Sequence, residues 1–136
     1  GPSSPSPAAE ALLTLAAEED APVAELSFEE DHQRAALGTR CWALSCIDFV
    51  GPPPPRRFTT MPRGTILRVE SDAARISATI GEPADEEFGP LVGAREIDLT
   101  DGRETLDLEP GRYVLELFVM WRAQGDAVMT LGIEIT

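Results

Sequence analysis

Only three side chains in this chain of 136 residues are obvious candidates for nucleophilic or metal chemistry: His32, Cys41 and Cys46. A nucleophile–base pair would need a Ser or Cys beside His32, with an acid to orient the ring. His32 instead falls in Glu29-Glu30-Asp31-His32-Gln33, a charged run that reads as solvent-exposed. No Gly-x-Ser-x-Gly elbow and no Gly-rich phosphate loop is present. Asp85-Glu86-Glu87 could pair as acid and base, but the run reads as a solvated loop, where nothing shifts a carboxyl pKa. The expectation is a protein without catalytic residues and without a cofactor.

Cys41 and Cys46 are five positions apart. In one extended strand they would lie on opposite faces, roughly 16 Å apart. A disulfide needs Cα atoms within about 7 Å. A bridge therefore requires the chain to bend across Trp42–Ser45. The even count and the expected extracytoplasmic setting favour that bridge. Two buried thiols are the first alternative. A metal pair completed by His32 is the second, although it falls short of the three or four ligands such sites use. Asp98, Asp101 and Glu104 gather around another turn and raise the question of calcium. Calcium takes six to eight oxygens from a shaped loop, and this spacing is not that of an EF-hand, so a solvated turn is expected.

Arg56, Arg57, Phe58 and Arg63 form a local basic patch in an otherwise acidic chain. Such a patch could receive an acidic partner or the chain's own acidic N-terminal stretch. It could equally be charge balance at a solvated edge.

The net charge of −13 argues against nucleic acid and against anionic membrane surfaces, which would repel it. No apolar run approaches the ~20 residues of a membrane-spanning helix. Lys and Asn are both missing, which fits a GC-rich bacterial genome and excludes N-linked glycosylation. Gly1-Pro2 in place of Met reads as the scar of a cleaved tag.

Residues 1–22 read as that remnant followed by a Pro/Ser/Ala/Glu-rich spacer. Within it, Ala8–Glu19 favours a short helix or a fraying one by composition, and removal of residues 3–20 is expected to leave the melting temperature almost unchanged. Residues 23–136 read as one β-sandwich domain, because short alternating runs are separated by turn signals. Gly51-Pro52-Pro53-Pro54-Pro55 forces an extended crossover. Asp101-Gly102 predicts a hairpin joining Ile97 and Leu99 to Leu106 and Leu108. The centre is the hairpin after Pro110-Gly111. Tyr113, Leu115, Leu117, Val119 and Trp121 line one face of its first strand, and Met129, Leu131, Ile133 and Ile135 one face of the second. The first of these strands is apolar on both faces and so is expected inside a sheet.

Gly38-Thr39-Arg40-Cys41-Trp42, Cys46, Asp48, Gly51-Pro52-Pro53, Pro62-Arg63-Gly64, the Leu108–Tyr113 run with Trp121 and Gly125, and the terminal Ile133-Glu134-Ile135 occur in a suggestive order. Together they resemble uncharacterised bacterial secreted proteins and lipoproteins in which a Pro/Ser spacer precedes one small β-sandwich. Leu-x-Pro-Gly-x-Tyr also resembles the corner of immunoglobulin and fibronectin type III sandwiches, where a Tyr hydroxyl caps upstream backbone. These resemblances imply an immunoglobulin-like antiparallel sandwich of about 7–8 strands and a location in the cell envelope or outside the cell. The expected function is a non-catalytic binding module for a protein or cell-envelope ligand, with membrane contact only through an N-terminal anchor. The alternative is an enzyme inhibitor or sensor acting through exposed loops such as Gly51–Arg57 and Glu82–Pro90.

Overall fold

Apolar residues recur at every second position through most of the chain, and strands form where they do. The computed structural model describes residues 8–83, 90–99 and 101–136. The Ser3–Pro7 run, Asp85-Glu86-Glu87 and Thr100 lie outside the described residues. The first six strands are β1 (Glu10–Ala17), β2 (Pro22–Phe28), β3 (Asp31–Arg34), β4 (Ala36–Trp42), β5 (Ser45–Ile47) and β6 (Phe58–Met61). The rest are β7 (Thr65–Ser71), β8 (Arg75–Glu82), β9 (Val92–Ile97), β10 (Arg103–Leu106), β11 (Gly111–Trp121) and β12 (Gly125–Ile135). One sheet has the order β10-β7-β1-β2-β3. The other has the order β5-β4-β12-β11-β8-β9, with β6 also pairing β12.

The two sheets enclose one apolar core, a sandwich-like arrangement. The five-stranded sheet contributes Leu13 and Leu15 of β1, Leu26 of β2 and Leu67 of β7. The other contributes Leu115, Leu117 and Val119 of β11 and Met129, Leu131 and Ile133 of β12. As its two-faced apolar pattern requires, β11 is interior, between β12 and β8.

Three sequence expectations change. Ala8–Glu19 is not helical: Glu10–Ala17 is strand β1, in the middle of its sheet. Helix propensity is a weak prior. It loses here to the alternation of buried Ala11, Leu13 and Leu15 with Leu12, Thr14 and Ala16. It loses also to hydrogen-bonded ladders on both sides, antiparallel to β2 and parallel to β7. Second, the described residues hold twelve strands with two parallel pairings, β1 with β7 and β12 with β6, so the sandwich is mixed rather than purely antiparallel. Third, Asp101-Gly102 does not close a hairpin. Strand β9 pairs β8, whereas β10 pairs β7, so the turn carries the chain from one sheet to the other. Gly102 has φ 72° and donates its N–H to Leu99 at 2.9 Å, which makes the turn tight enough for that passage.

A buried amide joins the sheets. Gln33 of β3 is fully buried. Its Nε2 donates to Thr59 Oγ1 at 2.9 Å and to the Gly132 carbonyl at 2.8 Å, and its Oε1 accepts the Gly132 N–H at 2.7 Å. Gly132 stands where β12 changes neighbour. Pairing with β4 ends at Thr130 opposite Ala36, and pairing with β6 begins at Gly132 opposite Phe58. The amide fills the gap in the ladder, so the backbone groups exposed by the change of partner stay satisfied. A side chain at 132 would collide with the Arg57 carbonyl and the Phe58 ring.

Three changes test this architecture by chemical denaturation. Leu13→Ala should cost about 2–5 kcal/mol, as should Leu117→Ala, because each opens a cavity in the same core. Gln33→Leu should cost about 2–4 kcal/mol through orphaned polar groups at Gly132 and Thr59. A neutral Leu13→Ala would remove β1 from the core.

Candidate functional site

The lone histidine does have a serine and an acid beside it. Ser27 Oγ lies 2.9 Å from His32 Nδ1, and Glu25 Oε1 lies 3.5 Å from the same nitrogen. The pairing of β2 with β3 places Ser27 opposite His32. A proton relay needs the nucleophile on one ring nitrogen and the acid on the other. Here both compete for Nδ1 on an open sheet face, so the three form a surface polar cluster rather than a relay. Among the described residues no three His, Cys, Asp or Glu side chains converge on a metal position, and this holds for Asp98, Asp101 and Glu104.

The basic patch is drawn into the fold's own charge pairs. Arg57 meets Asp31 at 2.8 Å and the His32 carbonyl at 3.4 Å. Arg63 meets Asp107 at 2.8 Å and Glu109 at 3.4 Å, and those acids raise its pKa. Phe58 lies under the Arg112 guanidinium, 4.8 Å from ring centroid to Cζ. Arg56 is exposed and makes no ion pair with a described residue. The polyproline segment lies across the sheet. Pro53 is buried against Gly38, and its carbonyl accepts Thr130 Oγ1 at 2.8 Å.

The structural residues of the last hairpin occupy its inner face and its base. Pro110 and Gly111 lead into β11, and the Tyr113 hydroxyl donates to the Glu109 carbonyl at 2.7 Å. Leu117 is fully buried, and Trp121 meets Trp42 edge to face at 5.3 Å. Their indoles donate to Asp72 Oδ1 and to the Glu18 carbonyl, at 2.8 and 2.9 Å.

Two features of the seven-stranded sheet lie beyond these. The first is the β4–β5 hairpin. Trp42 pairs with Ser45, so the turn is Ala43-Leu44 alone, with φ 50° and 68°. Positive φ at both positions is the type I′ requirement that Asn-Gly meets without strain. Cys41 and Cys46 face each other below the turn, Cα atoms 4.0 Å apart, joined by a disulfide. Such a bond fits an oxidising compartment. At the tip the Leu44 side chain is wholly exposed (109%), and Val50 beyond β5 equally so (103%). Ile47 and Phe49 extend the apolar surface between them.

The second feature is a groove of about 630 Å³ on the outer face of β8, β9 and β11. Glu116, Thr79 and Glu96 lie in register across its three strands. Phe118 and Ser77 form the next rung. Glu116 is half-buried and pairs with no cation among the described residues, and desolvation raises its pKa. The Cys41–Cys46 bridge and its bend were expected from the sequence and are present, whereas the exposed apolar tip and the groove were not expected. The outward alternation of Glu116, Phe118 and Met120 in an apolar strand was the available signal for the groove. An apolar residue in a bend without Gly was the signal for the tip.

Comparison with known protein families, with curated proteins and with solved structures finds no match.

The Glu116 carboxyl provides a pH test. Burial raises its folded pKa above the unfolded value, so only between those two values does the native state bind more proton than the unfolded chain. Stability from this group falls as pH rises from the ordinary Glu range through the raised folded value, and the loss persists above it. Glu116→Gln should therefore melt higher than the parent near neutral pH, and the difference should shrink below the ordinary Glu range. Paired thermal melts across that range check it; a constant difference would refute it.

Proposed function

We propose that this chain is a non-catalytic, extracytoplasmic binding module that docks on a protein of the cell envelope through the β4–β5 hairpin. The observation that carries the reading is the tip itself: Leu44 is fully exposed, in a left-handed conformation, on a turn stapled by Cys41–Cys46. Left-handed backbone at a non-glycine residue costs of the order of 1–3 kcal/mol and persists where surrounding structure imposes it. A rigid apolar knob loses little entropy on binding, and such anchors dominate interface energies. Four exposed apolar side chains within seven positions, Leu44 to Val50, go beyond the scattered surface leucines of an ordinary domain.

The immunoglobulin-like relationship and the N-terminal membrane tether belong to the same proposal. The Tyr113–Glu109 corner supports the former. The disulfide supports the extracytoplasmic setting. The inhibitor reading through a protruding Pro-rich loop draws less support, because Pro53 is buried against the sheet.

Replacing Ala43-Leu44 by Asn-Gly should stabilise the fold by about 1 kcal/mol while removing the knob. A photo-crosslinking residue at position 44 should capture an envelope protein, and one at Glu70 on the other sheet should not. Equal capture at both positions, or none at 44, would refute the docking role.

A further inference from the structure

We propose that the groove on the outer face of β8, β9 and β11 binds a lysine or arginine side chain carried by an extended basic segment of a partner polypeptide. The site is independent of whatever the hairpin tip contacts.

The groove combines three recognition elements. Glu116 supplies a carboxylate on the β11 wall, and Glu96 supplies a second, two strands away at roughly 10 Å by ordinary strand spacing. Between them, Thr79 and Ser77 present hydroxyls that make no hydrogen bond with a described residue. Beside Glu116 along β11, Phe118 keeps 39% of its surface exposed, an aromatic face for an aliphatic stem and its cationic head. Charge complementarity fixes the sign of the occupant. Arg75, the cation that lines the groove, is four residues along β8 from Thr79, about 13 Å away in an extended strand, and makes no ion pair with Glu116. It closes one end of the groove and leaves the acidic centre open.

Openness argues for a polypeptide rather than a free amine. Small-molecule sites enclose about 70–90% of their ligand. This groove is a shallow face of a sheet, bounded by the exposed edge strand β9. A cation held here needs further contacts outside the groove, and a polypeptide supplies them.

The probe is an acetylated, amidated Lys-Thr-Lys-Thr-Lys peptide titrated into the full chain and followed by amide NMR. Saturable shifts confined to Ser77, Thr79, Glu96, Glu116 and Phe118 are expected. Glu116→Gln and Phe118→Ala should each weaken binding about tenfold, the scale of one lost charge-assisted contact. Glu70→Gln, on the other sheet, should leave binding unchanged, and a cooperative melt with dispersed amide spectra will show that each variant is folded. Shifts spread over the acidic surface, or equal affinity of Glu116→Gln and the parent, would overturn the site. Spermidine that saturates the same residues as tightly as the peptide would overturn the polypeptide source.

Discussion

The Gln33 amide is the interaction on which the arrangement of both sheets depends. Strand β12 is longer than either strand it borders on that side, so it must pass from β4 to β6. That change leaves an N–H and a carbonyl at Gly132 inside the protein. Burying them unpaired would be costly, and Gln33 is built to take both, with its second donor spent on Thr59. The orientation of the amide is fixed by these three partners. Because Gln33 belongs to β3, the repair of one sheet's ladder is also the tie to the other sheet. The nearby Arg57–Asp31 pair reinforces the same junction from the surface.

The seven-stranded sheet has two unequal faces. Inside, β11 and β12 present an unbroken apolar surface that any sandwich would need. Outside, the Phe49–Pro55 segment crosses one half, held by Thr39 at Phe49 and by Thr130 at Pro53. No described segment crosses the other half, and the groove forms there. The disulfide lies on this same outer side, since Cys41 pairs with Asp126, which pairs with Met120 and so with Arg75. The stapled tip and the groove therefore look outward from one sheet, whereas the Ser27–His32–Glu25 cluster lies on the other.

Strand alternation made the last hairpin, the interior position of β11 and the Cys41–Cys46 bend legible in the sequence. The same rule was available for β1. Ala and Leu there suit a helix equally well, and the tie is broken by partners 56 positions away in β7 (Glu10 opposite Ile66), which local pattern cannot see. Asp101-Gly102 showed a turn but not its destination, because a turn's chemistry does not say which sheet receives the next strand. The candidate site was less legible. Arg57 and Arg63 stand near one another in sequence, yet each is claimed by acids from elsewhere in the chain. Glu116 and Phe118 carry meaning only once β8 and β9 are set beside them.

The central place of β1 shapes the order in which this protein can mature. Of the twelve described strands it is made first, and it can pair β2 at once through the short Glu18–Ala21 connection. Its other edge must wait until Thr65–Ser71 has emerged. Until then half of a leucine-bearing strand has open hydrogen-bonding groups, the state in which chains recruit the wrong strand. Long-range parallel closure is also slow, because loop entropy is lost before contacts reward it. Nascent chains that have made β1 but not yet Thr65–Ser71 are thus the vulnerable species in this protein's biosynthesis. A chaperone that shields the leading segment would act at that stage rather than on the finished sandwich.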